Sequence, residues 1–266
     1  MSAGMVIVEG HHVSALVRDT LDGTGPLRLQ QGIPLADLAR TCVVPNARIL
    51  LAALDGADAR LTAKGNMTRK LVTTLIEDFR WPGYDAATIL SARNTLNEPD
   101  VLPVHYLHII LKLSGLVRHE KGLLKLTRKG KTMLAEERAG ALQGLLFQTT
   151  YTRFNTACLD RNSSKETFGW QISLVLYLIG RFADRWHPAD TLMRSVTLPS
   201  NSAPEPPSPY PGLLDLRLLA FETRVLRYLC WFGLLEQQSP AANDDWLQPR
   251  LYQKTPLYDR FLQFVL

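Results

Sequence analysis

Apolar positions along this chain fall at helical spacing in most windows. Leu71, Val72, Leu75, Ile76 and Phe79 make one such stripe, with Thr68 placed to cap it and Trp81-Pro82-Gly83 to stop it. Upstream, Leu35, Leu38 and Ala39 fit a short helix. Ile49, Leu50 and Leu54 fit a second, starting after a Pro45-Asn46 cap and ending at Asp55-Gly56. Ala59 to Thr62 reads as a strand. The next helix buries Val104, Leu107, Leu111 and Ser114 and turns His105, His108 and Lys112 to its other face. Gly115 ends it, free to take positive φ. The period then changes to two. Leu116-Val117-Arg118 and Leu123 to Thr127 are expected as strands of a hairpin that turns through His119 to Gly122, with a Thr-Arg-Lys-Gly ending on the return strand.

Beyond the hairpin the helical period returns over Leu142–Leu159, Phe168–Trp186, Asp190–Val196, Leu214–Phe232 and a last segment opened by Pro256. Leu234 to Glu236 and Leu251 to Thr255 are further strand candidates, and Val6 to Val8 a short one. Residues 199–212 hold six prolines and read as a flexible loop.

A degenerate pattern recurs three times: ILLAALDGADARLTAKGNMTRKLV from Ile49, IILKLSGLVRHEKGLLKLTRKGKTML from Ile109, and VLRYLCWFGLLEQQ from Val225 followed by LYQKTPLYDRFL from Leu251. Each is a helix with a glycine stop, a ribbon, a lysine-bearing return strand and a new helix. Leu-Thr-x-Lys-Gly, at Leu61 and at Leu126, is its sharpest part. The irregular spacing of the copies excludes a solenoid. The expected fold is mainly α with small β-ribbons, in two or three tandem units. The expected divisions are 1–83, 84–140 and 141–266.

Charge sharpens this picture at one place. The formal net charge of +5 is concentrated from Arg118 to Lys131, where Arg118, Lys121, Lys125, Arg128, Lys129 and Lys131 face a single acid, Glu120. A local excess of this kind is the footprint of a polyanion-binding surface. Cys42, Cys158 and Cys230 are odd in number, form no CxxC pair and sit among apolar neighbours, so buried thiols in a reducing compartment are expected. The N-terminus lacks the basic region of a signal peptide, and no run reaches the roughly 18 apolar residues of a membrane span. A cytoplasmic protein without membrane contact is the expectation.

The middle copy resembles winged-helix domains of the bacterial repressor kind. In multiple-drug-resistance repressors Gly-Leu-Val-Arg precedes the wing and Leu-Thr-x-x-Gly follows it, here Gly115 to Arg118 and Leu126 to Gly130. The wider span from Asn46-Ala47-Arg48 through Leu61-Thr62-Ala63-Lys64-Gly65-Asn66 to Asp184-Arg185-Trp186-His187-Pro188 resembles a group of uncharacterised bacterial proteins, some plasmid-borne, over much of the chain. The resemblance implies winged-helix units, with a regulatory or mobile-element role in binding duplex DNA. The wing cations, with Lys64, Arg69 and Lys70, would hold phosphates. The preceding helix would offer His105, His108 and Lys112, which lack the Arg, Asn and Gln that grip base edges in pairs. The alternative is a protein-docking adaptor, or a subunit of a larger complex, because winged helices also bind proteins. A homodimer or another protein partner would then meet Arg224, Arg227 and Trp231, which share an i, i+3, i+7 face.

Other chemistry finds no frame. No GxSxG, Ser-x-x-Lys, GxxxxGK[ST] or GxGxxG motif is present, so neither an enzyme nor a cofactor is expected. His105 and His108, even joined by His11-His12, have no cysteine or carboxylate at ligand spacing, and read as surface histidines rather than a metal site. Tyr151, Phe154, Phe168, Trp170, Trp186, Tyr228, Trp231 and Trp246 mostly fall at helical spacing, and read as core rather than as base-stacking platforms.

Overall fold

The computed structural model describes residues 9–56, 58–84, 86–92, 96–160, 168, 171–196, 215–238 and 249–266. The expected strand at 6–8, the Pro-rich loop, Trp170 and Trp246 lie outside them. In chain order the elements are α1 (Gly10–Val17), β1 (Leu27–Leu29), α2 (Leu35–Leu38), α3 (Val43–Ala53), β2 (Ala59–Arg60), α4 (Arg69–Asp78) and α5 (Ala86–Ala92). Next come α6 (Leu102–Leu113), β3 (Val117–Glu120), β4 (Leu123–Leu126), α7 (Arg128–Thr132) and α8 (Ala139–Thr152). The remainder is α9 (Ile172–Phe182), β5 (His187–Pro188), α10 (Ala189–Val196), α11 (Leu216–Phe221), α12 (Arg227–Trp231), β6 (Leu235–Gln238), β7 (Leu251–Lys254), α13 (Pro256–Phe261) and β8 (Leu262–Phe264). The chain is mainly helical, with small antiparallel sheets.

Two compact units form. The central unit is Gln30–Asn155 with Trp231–Gly233, and the terminal unit is the rest. The expected divisions at 83 and 140 are not where these units part. Strand β2, from the first expected division, pairs with β4 in the order β2-β4-β3, so residues 59–60 complete the sheet of the hairpin. The copy beginning at Ile49 therefore lends its strand to the ribbon of the Ile109 copy, and its own pairing among the described residues is a single antiparallel bridge, Leu61 to Met67.

In the central unit α6 is buried on most sides. Val104, Tyr106, Leu107, Ile110 and Leu111 are fully enclosed, and Tyr106 packs edge-on against Trp81 and Phe154 and tilted against Trp231. Its hydroxyl bonds Thr150 of α8 at 2.7 Å. Asn46, expected as a helix cap, lies inside α3 and fully buried. Its side-chain amide reaches the Arg80 carbonyl at 3.0 Å and its oxygen accepts the Arg80 N–H at 2.9 Å, so it staples α3 to the end of α4.

The terminal unit has β5-β7-β6 as one sheet and β1-β8 as a second. The Tyr258 hydroxyl donates to the Leu176 carbonyl of α9, and the Tyr177 ring packs against Phe264 of β8. Between α11 and α12 the helix widens to a π-turn over Glu222–Leu226. This turn carries Arg224, which is 2% exposed and binds the buried Asp160 carboxylate through Nε at 2.6 Å.

The two units share a backbone skeleton. Gly115 and Gly233 both take φ near +70°, at 75° and 72°. In the central unit Leu116 N–H bonds the Leu111 carbonyl at 2.9 Å, and Thr127 N–H bonds the Leu116 carbonyl at 3.0 Å. In the terminal unit Leu234 bonds Leu229 at 2.8 Å and Thr255 bonds Leu234 at 2.9 Å. Glycine turns the chain out of the helix, and the paired leucine and threonine close the helix–hairpin junction.

Candidate nucleic-acid interface

The hairpin turns through two residues, Lys121 and Gly122, both at positive φ, as a type I′ turn requires. Its pleat sorts the side chains. Opposite pairs Val117–Leu126 and His119–Leu124 share the inner face, while Arg118–Lys125 and Glu120–Leu123 share the outer one. The outer face is close to neutral. Arg118 pairs with Glu120 at 2.8 Å, and Lys125 with Asp58 at 3.2 Å and Glu120 at 3.8 Å. The Thr-Arg-Lys-Gly segment leaves the ribbon. Thr127 caps α7 by accepting the Gly130 N–H at 3.0 Å, which places Arg128, Lys129 and Lys131 on a helix. A Cβ at Gly130 would collide with the Leu116 carbonyl oxygen, so the Leu-Thr-x-x-Gly signature is a cap followed by a close backbone approach.

The expected phosphate-binding cations thus separate into two groups. Lys131 pairs with Asp55 at 3.0 Å, Lys129 donates to the Ser114 carbonyl at the end of α6, and Arg69 donates to Asn97 at 3.0 Å. Lys64, Lys70, Lys121 and Arg128 are exposed and have no such partner among the described residues. The charge excess survives this sorting. The central unit holds seventeen lysines and arginines against eleven acids, and the terminal unit thirteen against fourteen.

The histidines are not the outward pair expected of them. His108 is 4% exposed, and His105 is partly enclosed. Both donate Nδ1–H to Glu98, at 2.7 Å from His105 and 2.8 Å from His108, while Met67 N–H adds a third bond to the same carboxylate. The Glu98 side chain, 1% exposed, sits in the turn Glu98–Asp100 that leads into α6. Burial alone would raise its pKa; the hydrogen bonds from His105 and His108 and the other attractions outweigh that and hold it at about 2. His108 Nε2 then meets His119 Nε2 of β3 at 2.8 Å, and Lys112 Nζ lies 3.5 Å from His119 Nδ1. Reading the sequence missed Glu98 because an Asn-Glu-Pro-Asp run looks like an ordinary turn. The available signal was its place seven and ten residues before two histidines on one helix face.

Two further expectations change. Arg224, Arg227 and Trp231 form no open face: Arg224 is locked on Asp160, and Trp231 is buried against Trp81 and Tyr106. The π-turn adds a residue to the helical turn, so the i, i+3, i+7 count no longer follows one stripe. Cys158 is exposed and Cys230 half-buried; of the three only Cys42 is buried, and burial pushes its thiol up to about 12. One group of possible metal ligands occurs among the described residues: Glu9, His11 and His12 at the start of α1 bring one ligand atom each within 4.8 Å of one another. No helix among the described residues is long and apolar enough to cross a membrane.

Residues 39–140 match the model of the Y4jL N-terminal domain. The match spans α3 to α7 and so covers the sheet, the buried histidines and the cations of the central unit. A protein of Sinorhizobium fredii (strain NBRC 101917 / NGR234), described as uncharacterized protein y4jL, is 30% identical over 151 residues. That stretch is 55% of this chain and 64% of the relative, so the chain spans less than two thirds of the relative's length. No solved structure matches.

Proposed function

We propose that the chain carries two winged-helix units and that the central one holds a nucleic-acid backbone without reading its bases. The order helix, strand, helix, helix, hairpin, with the first strand beside the last, supports the winged-helix assignment in both units. The observation that carries the binding proposal is the confinement of the charge excess to one of two similar units, with Lys64, Lys70, Lys121 and Arg128 unpaired there among the described residues. Phosphate oxygens attract such cations whatever the sequence. Base reading is disfavoured because α6, the helix that would enter a groove, is enclosed and leaves only Lys112 and Leu113 well exposed.

A second reading, a protein-docking adaptor, draws support from that same enclosure and from the neutral outer face of the wing. The two separate by experiment. Two unrelated duplexes of equal length should bind the full chain with equal affinity at low salt, and Lys64→Glu, Lys121→Glu and Arg128→Glu together should abolish binding. Absence of any retarded band at low salt, with duplex or single strand, favours the adaptor.

A further inference from the structure

Lys112, His119, His108 and Glu98 form an unbroken run of donors and acceptors whose middle link has room for one proton. Glu98 only accepts, so His108 donates through Nδ1, and its Nε2 carries a lone pair while the ring is neutral. That nitrogen faces the His119 Nε2 at 2.8 Å, so one of the two donates and the other accepts. With both protonated, two N–H groups would point at each other across a hydrogen-bond distance. We propose that His108 and His119 share a single proton that latches strand β3 to helix α6, and that uptake of a second proton opens the latch.

The surroundings favour this behaviour. Glu98, from the turn before α6, is the anion facing the pair, and its charge is already taken up by His105, His108 and the Met67 amide. On α6, Lys112 stands beside the outer nitrogen of His119. The turn that carries Lys64 and Gly65 lies against the same ring, where a Cβ at Gly65 would come 3.8 Å from Cε1. Arg118 and Glu120, next to His119 on β3, point to the opposite face of the sheet. Burial first, then Lys112 and His108, hold the His119 ring below its ordinary value. An unfolded chain therefore takes the proton first, and acidification through the ordinary histidine range works against the latched state. A shared metal ion fits the spacing less well. Two nitrogens held tetrahedrally by zinc at roughly 2.0–2.1 Å lie about 3.3 Å apart, wider than the distance seen.

The latch does not depend on the nucleic-acid reading, and hydrogen exchange on the full chain tests it alone. With rates corrected for intrinsic chemistry, amides of β3 and β4 should lose protection about tenfold or more as pH falls from 8 to 5. Those of β6 in the terminal unit should not follow. His119→Gln keeps a donor but takes no proton, and should flatten the response. A flat wild-type profile overturns the latch, as does an unchanged response in His119→Gln. Stoichiometric zinc binding at micromolar or tighter affinity, lost in His119→Gln, would overturn it in favour of a metal site.

Discussion

The central and terminal units close their helix–hairpin junctions with the same two backbone hydrogen bonds, yet differ in what they bury and in the charge they expose. Leu111, Leu116 and Thr127 do in one what Leu229, Leu234 and Thr255 do in the other. Their polar interiors differ in kind. The central unit buries a carboxylate under two histidines, and the terminal unit buries an arginine on an aspartate. Their surfaces differ in charge, because the whole basic excess lies on the central unit. A skeleton that satisfies backbone groups is indifferent to what its remaining positions carry, so one architecture can hold two chemistries.

The buried ion pair should make the largest difference between the units. Arg224→Met takes the guanidinium away from the enclosed Asp160, which keeps the Thr223 hydroxyl, and should cost about 3–5 kcal/mol in urea unfolding. Arg118→Met, which breaks an exposed pair on the β3–β4 hairpin, should cost less than about 1 kcal/mol. Equal losses would mean that the terminal unit is not organised around Arg224. Next in size is Gly130→Ala, where the new methyl group must displace the Leu116 carbonyl. A loss of about 1–3 kcal/mol is expected in the same assay. The corresponding position after Thr255 is Tyr258, so the close approach belongs to the central unit alone.

Glu98 separates the units by pH. Its folded value of about 2 lies below the ordinary 4.5, so its contribution is complete above 4.5 and is lost as pH falls toward 2. Glu98→Gln should destabilise at neutral pH by about 1–3 kcal/mol and remove this part of the acid-unfolding curve. The smallest contrast is at the paired threonines. Thr127→Val should cost about 1 kcal/mol by loss of the cap to Gly130. Thr255→Val should cost less, since its hydroxyl donates to the Leu234 carbonyl at 3.3 Å and makes no cap bond at the start of α13. Thermal midpoints of the two variants check the order.

Much of the central unit is legible in the sequence because its signals are local. A stripe of period 3.6, glycine at 115 and an alternating hairpin each act within a few residues, and α4, α6, β3 and β4 follow them, although Thr68, expected to cap α4, makes no side-chain cap bond there. What is not legible depends on distant partners. Neither the pairing of β2 with β4, nor the staple from Asn46 to Arg80, nor the acids Asp55 and Asp58 that neutralise Lys131 and Lys125 leaves a trace in nearby residues. The same holds for the candidate site. A count of basic residues finds the region, but which cations stay unpaired depends on the sheet that brings their acids close. The π-turn at Glu222–Leu226 defeats a stripe drawn at ordinary helical spacing.

The central claim is that unpaired cations, not the total charge around the hairpin, hold a phosphate backbone. The most direct test is the dependence of duplex affinity on salt. One variant loses Lys64, Lys70, Lys121 and Arg128, and another loses Arg118, Lys125, Lys129 and Lys131, all to alanine. Each phosphate contact contributes roughly 0.9 to the slope of log affinity against log salt. The first variant should flatten that slope by about 3 or more, and the second by less than about 1. Equal slopes in the two variants, or a larger loss in the second, would contradict the account.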